Sequence, residues 1–281
     1  MKQSFLMVVL IFCAFSQYSF SQEKVENPEI YTSHNKGKFY IYWGGNRETY
    51  SKSDIHFKGN DYDFTLYNVE AHDKPKGWHI DYINPSRMTI PQTNFRVGYF
   101  ISDHYNISIG FDHMKYVMYN ERTVKYSGYY PNPGIYSENP TEDELTLDKN
   151  FLLFEHTDGL NYINTEFSRV DDISNWFGLP NTDKFQINIT ESLGTGFLYP
   201  RTNTTLLGKD RYDEFHISGY GLYAKAGLNF TFFKHFFIQT ELKGGYIDMN
   251  DIRTTEDSAD RASQDFWFLQ RVITIGGIFR P

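Results

Sequence analysis

The sequence predicts an all-β fold, a single antiparallel up-and-down transmembrane β-barrel of eight strands, with ten as the alternative count. Three observations predict it. Residues 94–111 alternate with period two, short and long connections follow one another along the chain, and aromatic residues reach 18% where hydrophobic content is only 40%. In NFRVGYFISDHYNISIGF, one face carries Phe95, Val97, Tyr99 and Ile101, then Tyr105, Ile107, Ile109 and Phe111. The other carries Asn94, Arg96, Gly98 and Phe100, then Asn106, Ser108 and Gly110, and Ser102-Asp103-His104 makes the turn. A soluble sandwich hides the apolar face, whereas a membrane barrel turns it outward to lipid around a polar lumen.

Strand one is expected over about 37–50, where Phe39, Ile41 and Trp43 oppose Tyr40, Tyr42, Gly44 and Asn46. Strands two and three form the hairpin at about 89–101 and 104–119, strand four lies near 159–170, and strand five near 184–198. A second hairpin covers about 214–231 and 235–249, and strand eight covers about 265–280, before Pro281, which cannot extend a ladder. Connections after strands two, four and six are short or compact. Those after one, three, five and seven are long and polar, at about 51–88, 120–158, 199–213 and 250–264. Outer-membrane barrels alternate short periplasmic turns and long extracellular loops in this way. A hairpin at 54–71 would raise the count to ten.

Eight strands leave room inside only for side chains, so a plugged polar lumen is expected. Its inward positions include Arg96, Asp112, Glu166, Lys225, Gln239, Glu241 and Lys243, with Lys225 and Glu241 expected to pair because an isolated buried charge is costly. Two residues misfit. Alternation places Glu191 and Arg271 on the lipid face, and a β-bulge near either would return it to the lumen.

The N-terminus reads as a signal peptide over 1–21: Lys2, the apolar run Phe5–Phe15, then Ser19 and Ser21 as small residues before a cleavage point. Residues 22–36 make a flexible lead and 37–281 the barrel. The only cysteine, Cys13, falls inside the signal, so a mature chain has no disulfide or thiol chemistry. Net charge is −8, and −9 without the signal, whose one charge is Lys2. That balance, with no basic stripe, argues against nucleic acid as a partner. Localisation in the cell outer membrane follows, with its lipid, lipopolysaccharide and other outer-membrane proteins as expected partners.

The motifs KSDIHFKGNDYDFTL (52–66), NPSRMTIPQ (84–92), FDHMKYVM (111–118) and FEHTDGLNY (154–162) resemble a family of small outer-membrane β-barrel proteins of Bacteroidota. The resemblance implies a fold and a location, and no catalytic residues come with it.

Candidate chemistry rests on the outer rim. Asp54 and His56 lie in the first long connection, Asp112 and His113 at the top of strand three, and His156 and Asp158 at the top of strand four. Neighbouring strands three and four bring Asp112, His113 and His156 within reach of convergence. A Ser–His–acid site for lipid A deacylation or acyl transfer needs a serine against such a histidine, and Ser51, Ser53 and Ser127 are the loop serines. No G-x-S-x-G elbow singles one out. Asp-x-His at 54 and 56 and His-x-Asp at 156 and 158 could also pair around a divalent ion. The acidic run 138–148 lacks the EF-hand pattern. No cofactor or metal is expected. The favoured reading is a non-catalytic structural or accessory envelope component, with the lipid-modifying enzyme and a small-solute channel as alternatives. Tyr126, Tyr129, Tyr130 and Tyr136 offer either an adhesive surface or a cap. The segment 171–180 reads as a short helical turn, with Trp176 and Phe177 in it as a periplasmic interfacial anchor.

Overall fold

A computed structural model describes residues 34–75, 92–136, 143–179, 184–212 and 214–281. The signal-peptide reading, most of the 22–36 lead and most of the 84–92 motif lie outside the described residues. The strands in chain order are β1 (Phe39–Tyr50), β2 (Ser53–Lys58), β3 (Asp63–Val69), β4 (Ala71–His72), β5 (Thr93–Phe100), β6 (Tyr105–Met114), β7 (Val117–Met118) and β8 (Thr123–Tyr129). Then follow β9 (Glu144–Thr146), β10 (Leu152–Glu155), β11 (Leu160–Asp172), β12 (Phe185–Leu198), β13 (Asn203–Leu206), β14 (Gly219–Phe232), β15 (Phe236–Arg253) and β16 (Arg261–Phe279).

Eight of them close a ring in the order β1-β5-β6-β11-β12-β14-β15-β16, all antiparallel, and β16 returns to β1 with Phe39 opposite Phe279 and Tyr50 opposite Phe268. Closure removes both sheet edges, the condition for a β-sheet in hydrocarbon. The alternation is inverted as expected. Ile109 on the outside is 65% exposed, while Arg96 on the inside is 2% exposed. Trp43, Ile107, Phe167, Leu193, Leu222, Leu242, Ile273 and Ile275 continue the apolar outer wall. A soluble core would reverse this arrangement.

Polar side chains point into the bore. The Lys225 ammonium lies 3.0 Å from Glu166 and 2.6 Å from Glu241, and the Arg96 guanidinium is 3.4 Å from Glu166. Arg96 also donates to Tyr42, Ser108, Asn164 and Tyr223. Lys243 pairs with Asp112, which accepts from Asn94 and Asn164 as well. Three cations and three carboxylates thus neutralise one another in a low-dielectric bore, where any unpaired member would be costly. Large groups sit over glycines: the Tyr40 ring covers Gly98 and the Tyr223 ring covers Gly194, and a Cβ at either glycine would collide with the ring. A cavity of about 40 Å³ lies toward the short turns between Gln186, Asn188, Thr190, Ser192, Glu241 and Phe237.

The long connections depart from expectation. They are not merely polar but fold over the barrel mouth. The 54–71 hairpin forms as β2 and β3, yet it adds no strand to the ring. It pairs with the outer end of β16, Ala262 opposite Phe57, and carries β8 and β9 beyond it. A second sheet, β13-β10-β7-β4, faces it. Ile55, Phe57, Phe64, Leu66, Tyr116, Phe151, Phe154 and Phe266 form an apolar core at this end, each at most 1% exposed. Tyr130 and Tyr136 belong to or pack on that core, so the tyrosine-rich loop serves the cap. The predicted strand six shortens to β14 because residues 214–218 lie outside it. Strand three ends at Met114, with 117–118 leaving for the second sheet. Strand eight starts earlier, at Arg261.

No bulge forms near Glu191 or Arg271. The one register shift in β15 and β16 falls between Met249 and Ile252, and both charged residues stay on the outer face. At the short turns, residues 174–177 make a 3-10 turn closed by left-handed Gly178, with Trp176 76% exposed.

Candidate functional site

The six predicted rim residues do not converge. Asp112 and His113 are consecutive on β6 and point to opposite faces. Asp112 faces the lumen, where it is held by Lys243, Asn94 and Asn164. His113 is buried outside the bore with Nδ1 2.8 Å from the Asn161 side chain. His156 lies at the connection after β10, fully buried in the cap, its Nδ1 2.9 Å from Thr202 Oγ1 and its ring against Phe154 and Tyr116. Burial pushes its pKa down to about 3, which keeps the ring neutral. Asp158 is exposed near Arg201 and Arg211. The 156/158 pair therefore does not share a strand face as expected, because one side chain is inside the cap and the other in solvent. Among the described residues no cluster of three or more His, Cys, Asp or Glu could hold a metal ion.

Asp54 and His56 lie on β2 rather than in an irregular loop, on its outer face, with Ile55 and Phe57 directed into the cap. Asp54 accepts the Asn68 backbone N–H at 2.8 Å. His56 Nε2 is 2.8 Å from Asp63 Oδ1 on β3, and this contact lowers the Asp63 pKa. On the other side, β16 places Ser263 directly opposite His56, and β3 places Thr65 opposite it. Asp54, His56, Thr65 and Ser263, with Asp248 and Asp265, line an open groove of about 260 Å³ just above Tyr246 and Trp267, which pack at 5.2 Å on the outer wall. Asp63 and Ser263 were missed from the sequence. The Gly59–Asn60 turn and the period-two pattern in SDIHFK were enough to find Asp63, but the β16–β2 pairing spans some 200 residues and left no local signal.

None of the three predicted serines meets a histidine. Ser53 shares a hydrogen bond with Tyr116, Ser51 with the Lys52 carbonyl, and Ser127 with Tyr67.

Fold and surface together define a class, an eight-stranded β-barrel with a lipid-facing exterior and a folded cap. No protein-family model and no curated protein matches the chain. Among solved structures, the outer membrane protein OprG from Pseudomonas aeruginosa is similar at 10% identity and TM-score 0.41, over 90% of this chain and 100% of that one. The N-terminal β-barrel domain of Pseudomonas aeruginosa OprF gives 9% and 0.32, over 87% and 98%. The attachment invasion locus protein Ail of Yersinia pestis gives 11% and 0.28, over 85% and 99%.

Proposed function

We infer that the protein is an outer-membrane barrel with a closed lumen and an extracellular cap, acting as a structural or accessory component of the envelope rather than as a channel. One observation carries this reading. The Arg96–Glu166–Lys225–Glu241 network spans the bore, and the apolar cap core lies above it. The scattering of Asp112, His113, His156 and Asp158 into separate structural contacts supports the non-catalytic role. Its place in the Bacteroidota family rests on the motif resemblance alone. Two measurements test the reading. Envelope fractionation should place the protein in the outer membrane, and mild detergent should release it together with larger partners. Recovery only as a lone monomer overturns the accessory role.

The His56–Asp63 contact with Ser263 opposite favours a second reading, an envelope lipid-modifying enzyme at the outer rim. His56→Ala would then change the acylation pattern of envelope lipids by mass spectrometry, and an unchanged pattern removes it.

A further inference from the structure

Arg271 remains on the outer wall between Leu269 and Ile273, with Leu242 opposite it on β15. On its other side β1 places Arg47 as its direct cross-strand partner. Both side chains are exposed. Among the described residues no carboxylate forms an ion pair with either, and Arg47 donates only to the Asn46 carbonyl. Like charges directly opposite each other on a sheet are destabilising, and so is an arginine facing hydrocarbon. The contrast lies elsewhere on the same wall, where outward Glu191 stands opposite Arg169, a cation that is itself ion-paired with Asp171.

Depth sets what can neutralise the arginine pair. Arg271 is four residues from Trp267 and eight from Phe279 along β16. At about 2.5 Å of membrane normal per tilted residue, that puts it about 10 Å inside the Trp267 level. A guanidinium snorkelling along its stem reaches back toward the headgroups on the cap side. Outward-facing Gly45, two residues from Arg47 along β1 and opposite Ile273, adds no side chain to the wall beside the pair.

We propose that Arg47 and Arg271 form a binding site on the barrel wall for the phosphate of an anionic, phosphorylated lipid in the leaflet on the cap side. The chemistry is fork-like donation from two guanidiniums to phosphate oxygens, which turns a repulsive pair into a neutralised one. The site deepens the outer-membrane reading and rests on it. There the phosphorylated lipid is the glycolipid of the outer leaflet.

The test compares wild type with the double variant Arg47→Leu and Arg271→Leu, refolded in phosphatidylcholine vesicles with or without bis-phosphorylated lipid A. Without lipid A, the variant should resist urea better than wild type, since two unmatched charges have left the hydrocarbon face. Adding lipid A should stabilise wild type and leave the variant unmoved. Inorganic phosphate at equal concentration should not substitute. Purified from envelopes, wild type should retain roughly tenfold more phosphorylated lipid by native mass spectrometry. Equal lipid retention, or equal stabilisation of both proteins by lipid A, overturns the proposal. Failure of the location reading shows separately, in fractionation.

Discussion

The Lys225 ammonium lies 2.6 Å from the Glu241 carboxylate across the β14–β15 pair, with both side chains inside the barrel. The two are not direct cross-strand partners. Lys225 faces Lys243 and Glu241 faces Gly227, so the contact is diagonal, over a glycine. Lys225 also reaches Glu166 and thereby ties three strands together.

Lys225→Met should destabilise the barrel by about 3–5 kcal/mol, because it leaves Glu166 and Glu241 in the bore without their shared cation. Glu241→Gln should cost less, since Lys225 keeps Glu166 and position 241 keeps a hydrogen-bonding partner in Gln239. Urea unfolding in lipid vesicles, followed by tryptophan fluorescence, ranks the two.

Gly194→Val should displace the Tyr223 ring and with it the hydrogen bonds from Tyr223 to Asn164 and Glu166. Overpacking of this kind costs about 1–3 kcal/mol. A loss of heat-modifiable migration in gels at a lower temperature than wild type is the expected readout.

Phe154→Ala should loosen the cap and spare the barrel. Phe154 packs edge-on against Phe57 and beside His156, in the apolar core above the Arg96–Glu166–Lys225 network. A loss of about 3–5 kcal/mol falls on the cap alone. Limited proteolysis should cut the cap while the membrane-embedded strands stay protected.

Acid should act on the same core. His156 is neutral when folded down to about pH 3, whereas an unfolded histidine takes a proton near 6.5. Between those values the unfolded cap binds more protons than the folded one, so stability falls as pH drops from 6.5 toward 3, by about 1.4 kcal/mol per pH unit. His156→Phe should flatten that slope in cap proteolysis measured from pH 7 to 4. An unchanged slope assigns acid sensitivity to other groups.

The conduction reading is tested directly. In planar bilayers the wild-type protein should show no steady ohmic conductance. Arg96→Ala, which removes the donors held by Tyr42, Ser108, Asn164 and Tyr223, should raise the frequency of brief openings.

The barrel was legible in the sequence because lipid and lumen impose a two-residue period on every strand of the ring. Arg96, Glu166, Lys225, Gln239, Glu241 and Lys243 could be assigned inward by parity alone, and the Lys225–Glu241 pairing followed from adjacent strands. Parity also placed Glu191 and Arg271 outward, and the expectation of a bulge was the error. The candidate site was less legible. His56 and Asp54 were named, but Asp63 and Ser263 come from pairings that local pattern does not encode.

The chain by itself determined the inverted barrel, since each strand's pattern records its own two environments. Only the tertiary structure decided what the long connections do. Their apolar residues, Phe57, Phe64, Phe151 and Phe154 among them, are spread over segments far apart in the chain and gain a shared core only when the closed ring brings its strand ends together. Burial that depends on such long-range closure leaves no period for a local reading to find.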